Sequence, residues 1–215
     1  GSMKPRVTYP IPIEELGRRR LGEFKMPDGL SYHADLAYDS RPGPDGNTRH
    51  LHLDIIEPVR RASAPAPAVI WVHGGGWHNG THKDTHPLKF ALNGFVAASV
   101  EYRLSTVAPF PAMLHDCRSA IRFLRANAVR FGIDPRRIGA VGGSAGAHLV
   151  ALLALTGDRP EIEGDGPYSH ESARLQAACV CNLPCDFRRL TEWHRALGEY
   201  VGRRLKVCLG LDDPR

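Results

Sequence analysis

Long apolar runs are missing from this sequence. The longest oily stretch, Leu149 to Leu155, falls far short of the ~20 residues a membrane-spanning helix needs, so no membrane partner is expected. No charged, then apolar, then small-residue leader opens the chain. Gly1-Ser2-Met3 reads as a cloning remnant that leaves room for a removed leader, so the location stays open, with the cytoplasm favoured. Cysteine is scarce and odd in number, at five. Without paired C-x-x-C spacing it supports neither a disulfide framework nor a zinc site. Cys179, Cys181 and Cys185 read instead as small buried residues on or beside a strand. Aromatic residues are only 7% of the chain and give no hint of a phenolic pocket, although Trp77, Tyr102, Phe110 and Trp193 are available to line one. There is no internal repeat and no low-complexity tract. Charge of one sign is also nearly balanced, with 28 Lys and Arg against 23 Asp and Glu, a net of +5. The basic residues fall in short clusters, and no nucleic-acid motif accompanies them, so no nucleic-acid partner is expected.

What remains is an ordinary globular composition. With 42% hydrophobic and 24% charged residues in 215, the chain is long enough to bury roughly 70% of its unfolded surface without a disulfide or metal staple. Residues 1–29, rich in Pro, Arg and Glu, read as an N-terminal arm that either wraps the surface or forms a short helix over Glu14–Arg20. Residues 30–215 read as the core.

Within that core, Tyr32 to Tyr38 reads as a strand, followed by a Pro/Gly turn at 41–47. Leu51, Leu53 and Ile55 then alternate with His50, His52 and Asp54, the pattern of a half-buried antiparallel strand. Ala68–Val72, Phe95–Val100 and Ile138–Val141 are short continuous apolar runs, the mark of strands buried on both faces. Helical patterns lie between them, over His82–Leu92 and Met113–Phe131. In the second, Leu114, Cys117, Ile121, Leu124 and Ala128 form the inner stripe, with Arg118, Arg122, Arg125 and Arg130 on the surface. A helix from Ser144 through Leu155 is apolar nearly all round and is expected to be buried. Gln176–Cys181 reads as a strand, and Phe187–Leu205 as helix within a cap-like region, 184–209. Strands alternating with helices predict an α/β fold: a doubly wound, mostly parallel sheet with an antiparallel N-terminal edge.

Two glycine-rich turns carry the chemistry. Gly142-Gly143-Ser144-Ala145-Gly146 follows a buried strand and opens a helix, the context of a G-x-S-x-G nucleophile elbow. There the glycines make room for a turn too tight for side chains, and Ser144 is held with its hydroxyl exposed above a helix N-terminus. The competing reading is a helix-capping serine in a phosphate-binding turn. His73-Gly74-Gly75-Gly76-Trp77 also follows a buried strand. Successive glycines let N–H groups converge on one point, as a developing oxyanion requires, and the N–H of Ala145 is the expected partner donor. His73 reads as a structural residue of the loop. His78, His82 and His86 are spaced four apart, which would suit a metal, but they read as an exposed helix start near the pocket mouth.

In order and spacing, Val72-His-Gly-Gly-Gly-Trp77, Glu101-Tyr-Arg-Leu104, Phe110-Pro-Ala112 with Asp116, Asp134-Pro-Arg-Arg-Ile138 and Gly142-Gly-Ser-Ala-Gly-Ala-His-Leu149 resemble the α/β-hydrolase superfamily, specifically its HGGG-type lipase/esterase branch. The Trp after the glycines and the small N-terminal region resemble feruloyl/acetyl-xylan-esterase-like carboxylesterases and kynurenine-formamidase-like enzymes. The resemblance is strong over 68–157 and extends weakly through Asn182–Asp186. It implies Ser144 as nucleophile, the N–H groups of Gly75, Gly76 and Ala145 as oxyanion hole, a small-molecule ester substrate, and neither metal nor organic cofactor.

That family carries its triad in the order Ser, acid, His, and this chain departs from the pattern after its sixth strand. Asp186 and His194 have the right order but lie eight residues apart, with His194 inside a helical stretch. His170 sits in a polar loop, and His148 packs beneath the elbow. The resemblance therefore implies that the last strands, the final helix and the triad acid and base lie outside these residues. The expectation is that the chain as given is truncated, turns over little, and pairs through an open sheet edge with a second chain or with itself. Three readings stay open: a serine carboxylesterase acting on short-chain or plant cell-wall esters, a kynurenine-formamidase-like amidohydrolase, and a catalytically silent binding module.

Overall fold

The structure, a computed structural model, describes residues 11–59, 64–189 and 199–211. Six strands, β1 (Leu30–Pro42), β2 (Thr48–Pro58), β3 (Ala66–Val72), β4 (Val96–Val100), β5 (Ile133–Gly143) and β6 (Ala177–Cys181), form one sheet in the order β1-β2-β4-β3-β5-β6. β1, β2 and β4 pair antiparallel, whereas β3 pairs parallel with β4 and β5, and β5 with β6. This is the predicted parallel sheet with an antiparallel N-terminal edge. The turn into β2 is closed by Gly43 N–H donating to Asn47 O at 2.7 Å, as its Pro/Gly composition requires.

Helices α1 (Leu88–Ala91), α2 (Ala112–Ala126), α3 (Ala128–Phe131), α4 (Ala145–Thr156) and α5 (Glu199–Cys208) complete the layers. The main core lies between the sheet and α2 and α4, with Leu53, Ile70, Val72, Val100, Ile121, Leu149 and Leu153 within it. A smaller core on the other face joins Leu21, Ile56, Leu88, Ala91 and Ala97. The described part of the N-terminal arm docks there. Its expected helix is only a 3-10 turn, Ile13–Glu15, and Leu21 N–H donates to Lys83 O at 2.8 Å.

Several sequence expectations change. The helix read over His82–Leu92 shrinks to α1, because Pro87 disfavours helical geometry in the residues before it and stands at the N-cap. β2 is covered on both faces rather than half-exposed. Its Asp54 is fully buried, accepting from Tyr32 OH at 2.5 Å, Asp35 N–H at 2.8 Å and Lys83 Nζ at 3.0 Å. Arg118 and Arg122 are buried, not on the surface. Arg118 donates to Gly157 O at 2.6 Å and Arg122 to Glu171 O at 3.0 Å, so both pin the long segment after α4 by filling its carbonyls. Cys179, Cys181 and Cys185 are exposed: the first two lie on β6, the outermost strand, whose five residues all face solvent, and Cys185 lies in the segment that follows it. For the same reason the end of α4 is uncovered, and Leu155 is 78% exposed. The cap-like region begins with a 3-10 turn, Phe187–Arg189, and its helix α5 buries Leu205 and Cys208 in the main core. Trp193 and His194 lie outside the described residues.

Candidate active site

The tight turn from β5 into α4 forces Ser144 into a backbone conformation with φ +53° and ψ −118°. For a residue with a side chain this region costs on the order of 1–3 kcal/mol and persists only where the surroundings impose it. Here backbone imposes it. A Cβ on Gly146 would stand 2.0 Å from Val72 O and 2.6 Å from His73 O, and one on Gly142 would stand 2.4 Å from Gly146 O. The elbow is thus jammed against the end of β3, and Ser144 N–H donates to Cys181 O at 2.9 Å on the other side. Ser144 is exposed, whereas Ala145, Gly146 and Ala147 behind it are buried. Although Ser144 occupies the N-cap of α4, its side chain makes no capping bond. The capping-serine reading therefore loses its support, and the hydroxyl stays available above the positive end of the helix.

The second turn meets the first directly. A Cβ on Gly74 would lie 2.8 Å from Gly143 O and 3.4 Å from the Ser144 Cβ. Gly75, Gly76 and Trp77 follow, all with positive φ, at 114°, 61° and 56°. The Gly75 carbonyl accepts the N–H groups of His78 and Asn79, both at 3.1 Å. His73 anchors the loop, as expected of a structural residue. It is buried, stacks on Tyr102 with ring centroids 4.2 Å apart, and its Nδ1 lies 2.8 Å from Gly74 O. Burial pushes its pKa down, so it stays neutral. Tyr102 OH donates to His73 O at 2.9 Å. Arg103 grips the buried Asp116 with Nη2 2.8 Å from Oδ1 and Nε 2.9 Å from Oδ2, which fixes the start of the 103–111 segment. Burial raises the Asp116 pKa against the pull of Arg103.

The structure brings Ser144 and Ala145 against Gly74, the first glycine of the 74–76 run, and leaves the other candidates apart. His148, one turn beyond Ser144, is walled by Trp77, Phe187 and Phe110 at centroid distances of 5.4, 4.9 and 6.2 Å. Burial lowers its pKa to about 4, which makes it a poor proton acceptor. Asp186 pairs with Arg188 at 2.8 Å, and His170 is exposed beside Glu171. His82 bonds Asp35 at 2.7 Å, while His86 bonds Asp84 and stacks on Trp71 at 4.3 Å. The carboxylates of Asp35 and Asp54 with His82 have the spacing of a metal cluster. Lys83 Nζ already sits between them, 2.8 Å from Asp35 and 3.0 Å from Asp54, and neutralises that charge. Among the described residues, no imidazole is hydrogen-bonded to the Ser144 hydroxyl. Arg204 of α5, which sequence reasoning missed, reaches the Gly75 carbonyl with Nη1 at 3.5 Å. No motif surrounds it, and only the fold places it there.

A parallel sheet whose central strands deliver a strained serine and a glycine loop to one point matches known proteins over most of its length. The BD-FAE family model covers residues 53–210. The chain belongs to the BD-FAE family. Its fold is that of the α/β-hydrolases, and its motifs are those of the HGGG-type esterase branch. This BD-FAE member is 34% identical to esterase LipQ of Mycobacterium tuberculosis, over 97% of this chain and 50% of that protein. It resembles the solved structure described as a truncated form of carbohydrate esterase from gut microbiota, at TM-score 0.64 and 25% identity, covering 92% of this chain and 70% of the other. It also resembles an acetyl ester-xyloside bifunctional hydrolase from Caldicellulosiruptor lactoaceticus, at TM-score 0.54 and 31% identity, covering 64% of this chain and 50% of the other. The chain spans about half the length of the curated relatives it matches.

Proposed function

We propose that this protein is a serine carboxylesterase acting on short-chain acyl esters or on acetyl- or feruloyl-type esters of plant cell-wall carbohydrate. The observation that carries the reading is Ser144 itself. It is exposed, strained at positive φ, free of any capping bond, and set against Gly74 of the glycine loop. The relatives described as esterases, two of them tied by name to carbohydrate or acetyl esters, support the substrate class.

In this reading the Ser144 oxygen attacks the ester carbonyl carbon and its proton passes to an imidazole base. The carbonyl oxygen becomes an oxyanion that accepts the N–H groups of Gly75, Gly76 and Ala145. Each such donor is worth about 3–4 kcal/mol of transition-state stabilisation. Collapse expels the alcohol, protonated by the imidazolium, and leaves Ser144 acylated. Water, deprotonated by the same base, then releases the acid and restores the serine. Apart from the base, every group in this sequence is backbone or Ser144, and no metal is required at any step.

The test is hydrolysis of p-nitrophenyl acetate, a feruloyl ester and N-formylkynurenine by the full-length protein and by Ser144→Ala. Ester hydrolysis that falls by at least about a thousandfold in the variant is expected. Preference for N-formylkynurenine would turn the reading to an amidohydrolase. Absence of any Ser144-dependent turnover would turn it to a binding module.

A further inference from the structure

In the proposed mechanism the Gly75–Gly76 peptide supplies one of the oxyanion donors. The Gly75–Gly76 unit lies between two glycines at φ 114° and 61°, and glycine rotates at little steric cost. Its two polar atoms are rigidly coupled, however. In a planar trans peptide the C=O and N–H point in opposite directions. Whatever fixes the Gly75 oxygen therefore fixes the direction of the Gly76 N–H.

Donors from two parts of the chain converge on that oxygen. The N–H groups of His78 and Asn79 reach it at 3.1 Å from within the loop. Arg204 Nη1 approaches from α5 at 3.5 Å. The Arg204 side chain also lies beside the next residue, since a Cβ on Gly76 would stand 3.1 Å from both its Cδ and its Nη1. The helix that carries it is itself pinned. Leu205, Val207 and Cys208 are buried, and Cys208 O accepts the Phe110 N–H at 2.7 Å. The guanidinium is thus delivered by a docked element, while the amides of His78 and Asn79 move with the loop they would have to restrain.

We propose that Arg204 is a positioning residue of the oxyanion hole. By holding the Gly75 carbonyl it aims the Gly76 N–H at the developing oxyanion, and it makes docking of α5 a condition of catalysis. This rests on the esterase reading of Ser144 above. A donor that is misaimed rather than removed forfeits part of its full effect, so the loss belongs in kcat and not in substrate binding.

The experiment compares Arg204→Met and Arg204→Lys with the wild type in the full-length protein. Three quantities are measured: kcat and KM on p-nitrophenyl acetate, the melting temperature, and deuterium exchange of the peptide containing the Gly76 amide. The expected result is a kcat at least about tenfold lower in Arg204→Met, KM within twofold, an unchanged melting temperature, and faster exchange at Gly76. Arg204→Lys, which keeps a charged donor but loses the planar fork, should recover part of both kcat and protection. Unchanged kcat and exchange would overturn the proposal, as would a kcat loss that tracks a lower melting temperature and is not recovered by lysine. If the wild type shows no Ser144-dependent hydrolysis, the esterase reading fails separately. The exchange measurement then decides whether Arg204 holds this peptide: faster exchange in Arg204→Met upholds the hold, and unchanged exchange refutes it.

Discussion

The two glycine-rich turns that meet at Ser144 are built differently. In the elbow, the atoms that forbid side chains are backbone. Gly146 faces the carbonyl oxygens of Val72 and His73, and Gly142 faces Gly146 O. In the 73–80 loop, backbone closes on Gly74 and Gly75 through Gly143 O and Asn79 O, but side chains shape the rest. Tyr102 holds the His73 carbonyl, His73 stacks on Tyr102, and Arg204 lies against Gly76. A turn shaped by backbone has the same form in any protein that makes it. A turn shaped by side chains can be adjusted one residue at a time. Ser144 is accordingly fixed by the fold, while the glycine run opposite it sits on the more adjustable element.

The sharpest way to break this comparison is to add one methyl group to each turn. Gly146→Ala places a Cβ 2.0 Å from Val72 O, in the most buried part of the sheet, where neither strand can retreat. The expected loss is about 3 kcal/mol or more, at the upper end of overpacking effects. Gly76→Ala meets the flexible Arg204 side chain at 3.1 Å and pays mainly for its positive φ, about 1 kcal/mol. Urea unfolding of both variants checks the order. Equal losses would mean that the loop is as rigidly enclosed as the elbow.

This difference also explains what was legible in the sequence. Ser144 and the glycines around it could be read because backbone collisions demand a fixed residue pattern between a strand and a helix. The strands Ala68–Val72 and Ile138–Val141 could be read because burial on both faces writes a continuous apolar run. Arg204 could not be read, since its role depends on where α5 docks and no local pattern records that. Arg118 and Arg122 looked like surface residues because their partners, the carbonyls of Gly157 and Glu171, lie 39 and 49 residues away. The cysteines of β6 looked buried because an edge strand and an inner strand can share one composition. Pro87 is the available signal against a helix from His82.

A second test addresses the contact between the two turns, where His148 of the elbow helix meets Trp77 of the loop at 5.4 Å. Burial lowers the His148 pKa from 6.5 to about 4. Between those values the unfolded chain binds a proton that the folded chain refuses. The stability at stake is therefore complete above about pH 6.5 and is lost as the pH falls toward 4. At pH 4.5 the loss relative to pH 7 should be about 2–3 kcal/mol greater in the wild type than in His148→Phe, which fills the aromatic cage without a titrating group. Urea unfolding at both pH values measures it. An equal loss in the two proteins would show that acid acts elsewhere and that the contact between the turns is indifferent to charge.

The smallest expected effect tests whether side chains hold the loop at all. Tyr102 lies at the end of β4, fully within the core, and its hydroxyl is the hydrogen-bond donor to the His73 carbonyl. Tyr102→Phe leaves the stacking surface against His73 in place and removes only the oxygen. The His73 carbonyl is then buried without this donor, at a cost of about 1 kcal/mol. Stability alone does not separate a loop support from any other buried hydrogen bond. Activity does, because the His73 carbonyl begins the run that supplies the oxyanion donors in the proposed mechanism. A loop that has lost this tether should lower kcat on p-nitrophenyl acetate a few-fold while the exposed Ser144 keeps its reactivity toward a fluorophosphonate label to within the same factor. If kcat is unchanged while stability falls, the loop takes its shape from its own glycines, and the contrast between the two turns reduces to the contact with Arg204.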